Sequence, residues 1–145
     1  MKRVAILLVA VIAALGATGV AAAHPLGNFT TNQYAELVVS GDRAYVSYVL
    51  DLAEIPTFQA GDEARALGRD GYAARLARTV AAGLTVAIDG RPRPLTTVER
   101  RLAFLPGAAG LRTTRLELVL AAGGLPRGAE HTVRVRNGVF ANRFG

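Results

Sequence analysis

"QYAELVVSGDRAYVSYVLDLAEIP", residues 33–56, is the stretch on which the reading of the fold turns. In its first part Tyr34, Glu36 and Val38 alternate with Ala35, Leu37 and Val39, so that one polar position faces an apolar row. Gly41-Asp42 is turn chemistry, and residues 43–55 continue as a long run rich in Val and Tyr until Pro56 stops it. Period-two alternation on both sides of a short turn predicts an antiparallel β-hairpin, because successive side chains of a strand point to opposite faces.

Downstream, "FQAGDEARALGRDGYAARLARTVAA" (58–82) changes character. Tyr72, Leu76 and Val80 recur every fourth residue, which places them on one helical face, with Arg69, Arg75 and Arg78 falling largely elsewhere. Gly68 and Gly71 are expected to divide this segment into a short first turn and a longer helix from about Arg69. "GLTVAIDGRPRPLTTVERRLAF" (83–104) then reads as a strand, an Asp89-Gly90 hairpin turn and a second strand, with Pro92 and Pro94 marking an edge. "PGAAG" (106–110) is a turn, and residues 111–121 and 130–140 read as further strands. Six or seven short strands with turn signals between them predict a mainly β fold: an immunoglobulin-like β-sandwich with one inserted α-helix at about 59–82.

Upstream lies a different kind of segment. Lys2 and Arg3, the apolar run 4–20 and the small residues Ala21-Ala22-Ala23 have the three-part form of a secretory signal peptide, so residues 1–23 are expected to be removed and 24–145 to be the exported domain. A retained membrane anchor is the competing reading, but the run is short for a span and holds Gly16, Thr18 and Gly19. Cleavage takes two positive charges from a net charge of +6, and every basic side chain left is arginine. With the excess of Ala, Gly and Val this reads as coding bias in a GC-rich bacterium, and the arginines are dispersed with no basic block, which argues against a nucleic-acid partner. Without cysteine, thiolate metal sites and thiol catalysis are excluded and the core alone must hold the domain.

Cleavage after Ala23 would make His24 the N-terminus. Its amine and ring Nδ1 could then chelate Cu(II), Ni(II) or Zn(II), but two ligands need company. His131, Asp51, Glu54 and Glu36 are the candidates, although His131 by itself reads as an exposed edge residue beside Glu130. Asp51 and Glu54 at strand spacing would point to opposite faces, which argues against paired acid–base work. Ser40 and Ser47, the only serines, stand in no nucleophile-elbow pattern, and "PGAAGL" lacks the Lys-Ser/Thr of a phosphate loop. A non-enzymatic protein is expected, with no small-molecule substrate identified.

"HPLGNFTTNQY", "DLAEIPTFQ", "AAGLTVAIDGRP", "FLPGAAGLRTTRLEL" and the closing "NRFG" resemble the exported N-terminal domain of bacterial nickel/cobalt transporter-like membrane proteins, over the whole length from His24 onward. The resemblance implies an extracytoplasmic accessory domain or ectodomain whose partner is a multi-helix membrane transporter for Ni(II) or Co(II). Family members often carry a histidine where this chain has Gln33. Some carry an acidic calcium-type loop where "AGDEARALGRDG" has neither the length nor the alternating acids, so no calcium site is expected. A metal-free module that docks a membrane partner is the alternative.

Overall fold

The computed structural model describes residues 28–141. In chain order these form β1 (Thr31–Ser40), β2 (Arg43–Leu52), α1 (Glu54–Gln59), α2 (Gly61–Gly83), β3 (Leu84–Ile88), β4 (Arg91–Arg93), β5 (Thr96–Pro106), β6 (Arg112–Gly124) and β7 (Val133–Asn137). The expected hairpin is β1–β2, closed at Ser40↔Arg43 with Gly41 at φ +64, a conformation glycine adopts without steric cost. Strands β1-β2-β6-β5 make one antiparallel sheet and β4-β3-β7 a second. Taken in sequence, the seven strands occupy the places A, B, C, C′, D, E and F of an immunoglobulin-like sandwich, with both helices inserted between B and C.

Alternation builds the core. Ala44, Val46, Tyr48, Leu50 and Leu52 of β2 and Thr114, Leu116, Leu118, Leu120 and Ala122 of β6 turn inward and are buried. They meet Leu84, Val86 and Ile88 of β3 and the α2 stripe Tyr72, Leu76 and Val80, the face expected from the four-residue spacing. Helix α2 lies against β5: the Tyr72 and Phe104 rings stack with centroids 6.5 Å apart, and Arg69 donates from Nε and Nη2 to the Leu102 carbonyl.

Three expectations change in detail. The strand predicted to run to Ile55 ends at Leu52, and Pro56 sits in the first turn of α1, where its missing N–H has no intrahelical partner to lose. The helical insertion therefore begins about five residues early. Of the two expected breaks only Gly68 interrupts α2, at φ +67, while Gly71 is helical. The strand expected after Asp89-Gly90 is two strands: residues 91–93 stay paired with β3, and beyond Pro94 the chain crosses to the other sheet as β5. Pro92 and Pro94 cannot donate to a ladder, so β4 is a three-residue edge and the crossing occurs where pairing fails. Both turn residues between β3 and β4 have positive φ (+52 and +75), as a type I′ hairpin requires. Among the described residues no helix is long and apolar enough to cross a membrane.

Candidate functional site

Helix α1 is too short to stand alone, so its ends show what holds it. Ala53 N–H donates to Thr30 O and Ile55 N–H to Asn28 O, stitching the helix start to the residues leading into β1. Glu54, in the first turn, places a carboxylate where a helix N-terminus favours negative charge. Its Oε1 accepts the Ala108 N–H (2.8 Å) and its Oε2 the Asn28 N–H (3.4 Å). The Ala108 N–H, with the residue's own N–H and that of Asn28, holds the Glu54 carboxyl below its ordinary value against the opposing effect of burial. Gly107 is needed beside it: a Cβ there would lie 2.9 Å from Glu54 Cγ and Oε1. One carboxylate thus joins three segments distant in sequence. They are the residues leading into β1, the first turn of α1 and the β5–β6 turn.

Below this clamp the Thr57 hydroxyl is 3.0 Å from Leu52 O and 3.0 Å from Thr114 Oγ1. One hydroxyl has one proton, so with it given to Leu52 O the Thr114 hydroxyl completes the second bond by donating back. Thr57 and Thr114 are both buried, and the pair fixes α1 to β2 and β6. The result is a cleft of about 570 Å³ between the two helices and the β5–β6 turn, lined among others by Phe58, Arg65, Phe104, Leu111 and Arg112. Phe58 is 71% exposed although it sits on an anchored helix. Arg65 pairs with Asp62. An open apolar floor with arginines at its margin suits an extended segment carrying an apolar side chain and an acid.

The residues singled out as metal ligands do not gather here. Asp51 points outward from β2 and pairs with Arg115 directly opposite on β6 (3.0 Å). Glu54 has left the strand and serves the clamp, so the two carboxylates are separated by a change of element. Glu36 lies exposed on β1. His131 corrects the expectation of an exposed edge residue: its side chain is 15% exposed, with Nδ1 2.8 Å from Asp89 Oδ2 and Nε2 2.8 Å from Pro126 O. Both ring nitrogens face acceptors, so a metal at His131 would have to displace one of these two bonds. Accordingly Asp89 chiefly, and the Pro126 carbonyl, push the His131 pKa up, while His131 and the Thr132 N–H push that of Asp89 down. His24 lies outside the described residues. Among the described residues no group of three His, Cys, Asp or Glu side chains could hold a metal ion.

Gln33 has a different task. Its Oε1 accepts from Tyr48 Oη (2.6 Å) and from Asn137 Nδ2 (3.3 Å), tying the two sheets together, and burial pushes the Tyr48 phenol up to about 12.

Comparison with protein-family models, with curated proteins and with solved structures returned no match. The site is therefore read from its own geometry. Reasoning from residue types missed Phe58, Phe104 and Arg112, because an aromatic in a short helix and another in a strand carry no chemical signature.

Proposed function

We propose that this protein is a non-enzymatic extracytoplasmic module that docks a membrane partner through the Phe58–Arg112 cleft, in association with nickel or cobalt transport. The observation that carries the reading is the Glu54 clamp. A buried carboxylate, a required glycine and a hydroxyl pair are spent on holding an exposed phenylalanine at the mouth of a cleft. Exposed large aromatics on rigid supports are what binding hot spots are made of. The export and transport parts of the proposal come from the signal-like residues 1–23 and from the resemblance. Asp51, Glu54 and His131 are each engaged by other groups, so a metal reading would rest on His24, and the geometry favours docking.

The test is a photo-crosslinking residue placed at position 58 of the exported chain in cells, with the same residue at exposed Val98 as control. Position 58 should join to a multi-helix membrane protein that only detergent extracts, and position 98 should not. Phe58→Ser with Arg112→Glu, both exposed positions, should change cellular nickel or cobalt content, down for uptake or up for efflux, without lowering the thermal midpoint of the domain. Equal crosslinking at both positions, or unchanged metal content, would sink the reading.

A further inference from the structure

Strand β5 stands at the edge of its sheet, paired with β6 on one side and with no strand on the other among the described residues. Two observations fix which of its residues turn their backbone to which side. Gly107 N–H donates to Leu111 O at the β6 side, so two and four residues earlier Leu105 and Ala103 also bond to β6. On the opposite side Arg69 donates to the Leu102 carbonyl, which therefore points away from β6. In an antiparallel ladder every second residue bonds to a given neighbour, so Phe104 and Pro106 share the phase of Leu102. The Phe104 N–H and C=O face the open edge, and among the described residues neither has a hydrogen-bond partner.

That stretch of edge is also a wall of the cleft, which Phe104 lines together with Phe58 and Arg112. Arg69 closes the edge one step earlier by engaging the Leu102 carbonyl, so the edge opens only from Phe104 onward. A half-buried peptide donor and acceptor side by side are answered best by the same two groups of another backbone. A helical ligand cannot supply them, because its own peptide groups are spent within the helix.

We propose that the occupant of the Phe58 cleft is a short extended segment of the membrane partner, which adds antiparallel to β5 at Phe104 and carries an acid two positions before an apolar residue. The proposal rests on the docking function above and specifies what is docked. The apolar residue stands opposite Phe104 and exchanges two main-chain bonds with it, while the acidic residue stands opposite Pro106 and donates its N–H to the Pro106 carbonyl.

The side-chain pattern follows from the register, since residues directly opposite in a ladder share a face. Phe104 turns to the same face as buried Leu102 and stacks on Tyr72, so the residue opposite it meets an aromatic surface. Pro106 pairs with Arg112 of β6, so the residue opposite Pro106 shares its face with that guanidinium. Arg65 is already engaged by Asp62, whereas Arg112 makes no ion pair among the described residues, which places the acid at Arg112. Two positions beyond the apolar residue the segment meets the carbonyl that Arg69 occupies, so strand pairing ends there.

The probe is the blocked peptide acetyl-Thr-Glu-Thr-Leu-Thr-amide, titrated into the full chain and followed by NMR and amide hydrogen exchange. It should bind and slow exchange of the Phe104 amide, while the amides of Ala103 and Leu105, already bonded to β6, stay unchanged. N-methylation of the peptide's Leu should weaken binding roughly tenfold, whereas N-methylation of the Thr before it, whose N–H faces away, should not. Arg112→Glu should reverse the preference between this peptide and one with Lys in place of Glu, a reversal that unfolding cannot mimic. Absence of binding, an unprotected Phe104 amide, or indifference to N-methylation of the Leu overturns the proposal. So does a Phe104 amide protected before peptide is added, which would make a segment of the chain itself the occupant. Crosslinking from position 58 with no Phe104 protection leaves the docking function standing and sinks the strand addition. Phe104 protection by the peptide with no crosslinking keeps the strand addition and sinks the membrane partner.

Discussion

Replacing Thr57 by valine probes the floor of the candidate cleft. The substitution keeps the shape of the side chain and removes one hydroxyl, which takes one donor from Leu52 O and leaves the Thr114 hydroxyl without its acceptor. Both sites are buried, and a buried polar group that loses its partner costs about 1–3 kcal/mol. Thr114→Val removes only the bond between the two hydroxyls and leaves Thr57 bonded to Leu52 O, so its cost is about 0.5–1.5 kcal/mol. Each single change breaks the Thr57–Thr114 bond, and the double variant breaks it once. Its cost should therefore fall short of the sum by about 1 kcal/mol. Urea denaturation followed by circular dichroism measures all four corners of the cycle, a suitable probe for a chain without tryptophan. Additivity to within about 0.5 kcal/mol, or a Thr57→Val cost below about 0.5 kcal/mol, would refute the idea that the pair acts as a unit.

The Asp89–His131 pair should make stability depend on pH in a defined direction. The His131 pKa is raised from 6.5, so its contribution is complete below 6.5 and disappears as pH rises through the raised folded value; that of Asp89 is lowered from 3.8, so its contribution is present above 3.8 and disappears as pH falls through the lowered one. The difference in thermal midpoint between the wild type and His131→Gln should therefore be greatest between pH 3.8 and 6.5 and shrink on both sides, whereas a flat difference would contradict the ion pair. Gly83→Ala should destabilise by about 1–3 kcal/mol in the same urea assay, because the new Cβ would lie 2.7 Å from Val139 Cγ2 and 2.9 Å from its backbone Cα. Gly61→Ala, whose Cβ would meet only Arg65 Nη1 at 3.5 Å, should be tolerated, and equal effects at the two sites would show that crowding is not the cause.

How far the sequence could be read varies element by element. The β1–β2 hairpin, the inward face of α2 and the Asp89-Gly90 turn were legible because each rests on a local rule: alternation, a four-residue spacing, or a dipeptide that tolerates positive φ. The end of β2 was not, since Ala53 and Ile55 keep the segment apolar past Leu52, where the pairing stops, and the helix start is set by bonds from Asn28, Thr30 and Ala108, which are distant in sequence. His131 was misplaced for a similar reason. Beside Glu130 in the chain it looks exposed, while the groups that enclose it are Asp89, from the β3–β4 turn, and the Pro126 carbonyl, where its own loop folds back.

The sequence by itself determined that the chain is mainly β with a helical insertion, because periodicity and turn residues act within about ten residues of one another. It also determined which chemistry is excluded by the lack of cysteine. Only the tertiary structure decided that residues 91–106 divide between two sheets and that Asn28, Glu54 and Ala108 meet. Those features depend on the closure of long loops, whose partners are chosen by the packing of the whole core and leave no periodic trace in the chain.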